Sequence, residues 1–193
     1  MKLPVHETET GWVVAYTSQW ADVTYGPMPG HSWLTIEQAE SRFRAGEPLE
    51  VVEAHDHDDE KLLRCRWVVG ITHPGWARAQ FFNAGQSIMA SISYEAMEDG
   101  RLFICQRYDY TYPDQVNTYT QLDATTIYGA YYKLDGTGVF EVHDTATRQT
   151  MVTRFKDADF SSLWFDWSEF GNWDVFANPD NGTLPEDFAM TPL

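Results

Sequence analysis

Apolar residues recur along this chain with a period of two over most of its length, and with a helical period only once. Leu63, Cys65, Trp67, Val69 and Ile71 alternate with Arg64 and Arg66 and, less cleanly, Val68 and Gly70. Side chains two apart share one side of an extended chain, so this pattern predicts a strand with one buried face. Ile88, Ala90, Ile92 and Tyr94 alternate in the same way with Ser87, Met89, Ser91 and Ser93. The helical exception begins at Thr35, where Ile36, Ala39 and Phe43 fall on one face. Thr35 and Gln38 are spaced to cap each other's backbone, and Gly46 followed by Pro48 ends the helix.

Further strands are predicted over Gly11 to Thr17, Leu49 to His55, Ala77 to Asn83, Leu102 to Tyr112, Ile127 to Leu134, Val139 to His143 and Met151 to Phe155. Asp99-Gly100 and Asp135-Gly136 supply the left-handed permissiveness that tight hairpin turns require. Gly26-Pro27-Met28-Pro29-Gly30 reads as a loop. Strands in sequential order with one early helix imply a mainly β (α+β) fold, an antiparallel meander that curls into a half-open barrel or carries the helix on one face. No repeat and no linker divides the 193 residues, which are expected to form one domain with 175–193 as an irregular tail.

Composition adds one unusual property. Against 29 Asp and Glu stand 13 Lys and Arg, a net charge of −16, so phosphate backbones and anionic lipids are repelled and a basic protein is attracted. The acids cluster. Glu47, Glu50, Glu53, Asp56, Asp58, Asp59 and Glu60 run without an intervening Lys or Arg up to Lys61, and no Lys or Arg follows Lys156. No run is long enough to span a membrane, and the first residues lack the order of a signal peptide, so the expected compartment is the cytoplasm. Cys65 and Cys105 are read as separate thiols within strands rather than as a disulfide.

Three local patterns invite chemistry. His55-Asp56-His57-Asp58-Asp59-Glu60 packs potential ligands after a strand, and His55, His57 and Asp59 form a candidate divalent-metal set. These three resemble the HxHxDH signature of the metallo-β-lactamase fold, from which the chain departs at Glu60 and in lacking alternating β and α elements. Tyr108, Tyr110 and Tyr112 share one side of a strand, with Arg107 and Asp109 on the other, and Tyr128, Tyr131 and Tyr132 follow; such rings are able to line a small-molecule pocket. Finally Trp164, Trp167, Phe170 and Trp173 recur every three residues, close to helical spacing, and predict a short turn that plugs the sheet.

The stretch Glu169-Phe170-Gly171-Asn172-Trp173-Asp174 after a meander resembles the ends of small acidic β-rich immunity proteins of bacterial polymorphic toxin systems. That resemblance implies a cognate-toxin inhibitor without a catalytic site or cofactor. The expected function is therefore a non-enzymatic acidic protein that blocks a basic partner, possessing no direct nucleic-acid affinity. Its candidate contacts are Glu53, Asp56, Asp58 and Asp59 in one segment and Trp164, Asp166, Trp167, Glu169, Trp173 and Asp174 in the other. The alternatives are a cyclase- or isomerase-type enzyme with a tyrosine-lined barrel pocket, and an anti-defence protein whose carboxylates mimic phosphates.

Overall fold

The computed structural model describes residues 6–7, 12–21, 26–28, 30–55, 63–167, 169–184 and 191–192. Its main elements are β1 (Val13–Thr17), α1 (Ile36–Ala45), β2 (Leu49–His55), β3 (Arg64–Thr72), β4 (Trp76–Phe82), β5 (Ile88–Ala96), β6 (Arg101–Thr111), β7 (Thr126–Tyr132), β8 (Gly138–Asp144), β9 (Gln149–Lys156) and β10 (Trp164–Asp166). From β1 to β9 each strand pairs antiparallel with the next, as the alternation and the Asp-Gly turns imply. Short pieces complete the sheet: His6–Glu7 and Trp33–Leu34 pair with β1, and Thr191–Pro192 pairs with β9. Among the described residues the two ends of the meander do not pair with each other, and the sheet is not closed into a barrel. Among the described residues no helix is long and apolar enough to cross a membrane.

α1 forms as its sequence dictates. The Thr35 hydroxyl accepts from the Gln38 amide at 3.3 Å, the Gln38 side chain accepts from the Thr35 amide at 2.9 Å, and Gly46 takes the left-handed conformation (φ 69°) that releases the chain. Ala39 and Phe43 point onto one face of the sheet, where they join Leu49, Val51, Val69, Ile92 and Tyr94. The stretch after β9 covers the rest of that face through Phe160, Leu163, Trp173 and Phe176. On the opposite face a smaller cluster of Val13, Ala15, Val52, Ala54 and Val68 lies under Trp20 and Trp33, and beyond it no described helix or strand covers the sheet.

The aromatic C-terminal segment corrects one expectation. Trp164–Asp166 is a strand, not part of a helical turn, and pairs with Phe103, Leu102 and Arg101. The cause is hydrogen bonding. β7 pairs only with Gln106 to Thr111, so the first residues of β6 need other partners, which β10 supplies. The three-residue spacing is met instead by successive turns over 169–177. Cys65 and Cys105 are both free thiols, and burial pushes the Cys105 thiol up.

Candidate functional site

Glu53 lies near the end of β2 on the face covered by α1, opposite Trp67 of β3. Only 9% of it is exposed, and burial raises its pKa although Arg66, at 3.4 Å, and the Trp67 side chain draw it back. The charge of Asp174 pushes the same carboxyl further up. Asp174 is thus within electrostatic reach of Glu53. His55 ends β2 with its ring edge-on to Trp12 at 5.9 Å. Asp56, His57, Asp58 and Asp59 lie outside the described residues. Among the described residues no group of three or more His, Cys, Asp or Glu is placed to hold a metal ion.

The C-terminal segment is two-sided. Trp173 is buried between Tyr16, whose hydroxyl its indole reaches at 3.4 Å, and Phe43, at 6.0 Å between ring centroids. Phe170 stacks on Tyr16 at 5.6 Å. Trp167 packs against His73 at 4.9 Å and against Phe176, and burial holds the His73 pKa down. Trp164 lies between Phe103 and the Arg101 guanidinium, which stands 4.3 Å from its ring. The carboxylates go the other way: Asp157, Asp159, Asp166, Glu169, Asp174 and Asp180 are all exposed. The outer side of this layer thus carries carboxylates, and the indoles hold the layer to the sheet. A recess of about 360 Å³ between α1 and this segment brings Glu40, Arg44 and His73 together with Trp167 and Glu169.

What fastens the segment was not among the sequence candidates as a group. Arg107, with only 11% of its side chain exposed, forks onto Asp109 at 2.6 and 2.8 Å and donates to the carbonyls of Pro179 (2.7 Å) and Asn181 (2.6 Å). Asn181 donates to the Tyr94 hydroxyl at 3.1 Å, and burial pushes the Tyr94 pKa up to about 12. Tyr132 donates to the Gly182 carbonyl at 2.9 Å. Arg107, Tyr94 and Tyr132 thus serve the covering layer.

The other tyrosines divide. Tyr112 is buried, stacked on Tyr119 and bonded to the Ile88 carbonyl at 2.9 Å, while Tyr128 is exposed. Tyr108 and Tyr110 face the uncovered side, where a cleft of about 660 Å³ opens. Cross-strand register builds it: Tyr108 aligns with Gly129 and Glu141, and Tyr110 with Ile127, His143 and Thr150. Gly129 leaves room for Tyr108, because a Cβ there would lie 3.0 Å from its ring. The Tyr108 and Tyr131 hydroxyls are hydrogen-bonded, and burial raises the pKa of both Tyr108 and Tyr110, so both phenols stay protonated. His143 reaches the Glu141 carboxylate through Nε2 at 3.2 Å and the Thr150 hydroxyl through Nδ1 at 2.8 Å. A carboxylate only accepts, so Nε2 carries a proton and, in the neutral ring, Nδ1 accepts from Thr150. Sequence reasoning missed His143 and Arg148 in this wall. The symmetry of the hairpin about Asp135 was the signal that places His143 opposite Ile127.

Comparison with known proteins gives no matching family model, no similar curated protein and no similar solved structure.

Proposed function

We propose that this protein is a non-enzymatic binding protein of the immunity or inhibitor type, whose acidic covering layer docks on and blocks a basic protein partner. One observation carries the reading: the C-terminal segment turns its aromatic side chains onto the sheet and its carboxylates outward, with no Lys or Arg in the sequence after Lys156. The charge of Asp174 on this surface also reaches Glu53, which precedes the second base-free run in the sequence. Exposed carboxylates of one sign on a packed support steer a cationic partner and exchange hydrated counterions for its Lys and Arg. The covered face of the sheet is filled by Tyr94, Phe103, Phe155 and Phe176, a packing that favours a binding surface over a barrel-pocket enzyme.

The test titrates a candidate basic protein, such as a basic product of a neighbouring gene, into the full chain at several salt concentrations. Binding that weakens steeply between low and physiological salt, and weakens again in the Asp166→Asn, Glu169→Gln, Asp174→Asn triple variant, supports the reading. Affinity indifferent to both salt and these substitutions overturns it.

A further inference from the structure

We propose that the cleft on the uncovered face is a binding site for a small planar aromatic carboxylate, a site separate from the acidic layer and independent of the role given to it. The first observation is a solitary cation. In a chain of −16 net charge, Arg148 lines the cleft and no described residue forms an ion pair or hydrogen bond with its side chain. The two carboxylates nearby keep their charge but are bonded elsewhere: Asp144 accepts the Thr147 amide at 2.9 Å, and Glu141 accepts from His143, which uses both ring nitrogens. A guanidinium presents a flat fork of donors that matches a carboxylate, and a bond made at contact distance is screened far less than the more distant charges of the molecule.

The second observation is the body of the cleft. Tyr108 and Tyr110 stand side by side with ring centroids 6.1 Å apart, and Ile127 lies beside them. Leu122, 94% exposed, stands at the rim, an apolar side chain that an aromatic ligand would cover. Because the phenols stay protonated they add no negative charge, and the rings supply a face for offset stacking. The wall carrying Arg148 is fixed in place, since the Thr145 hydroxyl of the same turn donates to the Ala124 carbonyl at 2.6 Å. At about 660 Å³ the cleft falls within the usual range for small-molecule sites and holds a bicyclic acid.

The probes are 2-naphthoate and its neutral counterpart 2-naphthamide, titrated into the full chain by calorimetry and by chemical-shift mapping. Saturable one-site binding of naphthoate is expected, with shifts centred on Tyr108, Tyr110 and Arg148 and an affinity about tenfold above that of the amide. Arg148→Asn, which keeps a residue tolerant of the positive φ of 56° there, should erase that preference while leaving Tm unchanged. Tyr110→Ala should weaken both probes alike. Absence of saturation up to about 5 mM, equal binding of the two probes, or naphthoate binding untouched by Arg148→Asn overturns the proposal.

Discussion

Asp174, in the covering segment, lies near enough to Glu53, on β2, for its charge to raise the Glu53 pKa. Two carboxyls separated by more than a hundred positions in sequence thus repel each other across the packed face. The consequence is a testable dependence of stability on pH. A carboxyl whose folded pKa is raised favours the folded state when protonated, and that contribution is lost as pH rises from the ordinary carboxylate range through the folded pKa. Glu53→Gln removes the titrating group, and its partner Arg66, 63% exposed, is left solvated. The variant should melt above the wild type at pH 7, and the gap should close as pH falls below about 4. Thermal melts over that range check it; a variant that melts lower at pH 7 contradicts the account.

Arg107 offers a larger effect. Its loss leaves the Pro179 and Asn181 carbonyls and Asp109 without their shared donor in a site that is 11% exposed on the arginine side. Arg107→Ala should cost about 3 kcal/mol, roughly 6–12 °C in Tm. Hydrogen exchange should quicken first across 175–184, where the tether acts, before it quickens in β6. Lysine at this position keeps the charge but not the planar fork, so Arg107→Lys should recover only part of the loss.

Space, rather than charge, decides Gly138. A Cβ on this first residue of β8 would lie 2.2 Å from the Phe155 ring and 2.5 Å from the Tyr131 carbonyl. Phe155 is fully buried and stacks on Phe140 at 4.7 Å, so it has little room to withdraw. Gly138→Ala should therefore destabilise by about 1–3 kcal/mol through overpacking. Because the Phe155 ring is one of the two constraints and the Tyr131 carbonyl the other, Phe155→Leu in the same chain should make the added methyl cheaper than in the wild type without making it neutral. Denaturation of the single and double variants measures that coupling.

The fold was legible where local chemistry and burial agree. α1 is written in Thr35, Gln38, Gly46 and Pro48, and β2 to β9 in alternation bounded by turns, because a half-buried strand cannot hide its period. The covering segment was less legible. Trp164, Trp167, Phe170 and Trp173 announce their burial, but a three-residue spacing serves a short helix and a series of turns equally well. The choice was made far away, by the unpaired edge at Arg101 to Phe103. The cleft was the least legible feature. Tyr108 and Tyr110 were readable as one face of a strand, whereas His143 and Arg148 join them only through the register of two further hairpins. Register sums over several turns and bulges, such as the irregularity between Ile104 and Gln106, and one-residue slips change every facing pair.

Neutralising Asp166, Glu169 and Asp174 together separates the packing role of the covering segment from the docking role proposed for it. If the indoles hold the layer and the carboxylates serve a partner, the Asp166→Asn, Glu169→Gln, Asp174→Asn variant keeps the core contacts of Trp173 and Phe176 intact. Its Tm should equal that of the wild type at high salt and rise slightly at low salt, since like-charge repulsion is relieved, including that on Glu53. Trp173→Ala should do the reverse, costing about 3–5 kcal/mol by emptying the space between Tyr16 and Phe43 while leaving the exposed charges unchanged. Melts of both variants at two salt concentrations check the division of labour. A triple variant that unfolds as readily as Trp173→Ala would mean that the carboxylates are part of the scaffold, and the acidic layer could no longer be treated as a surface free to meet a partner.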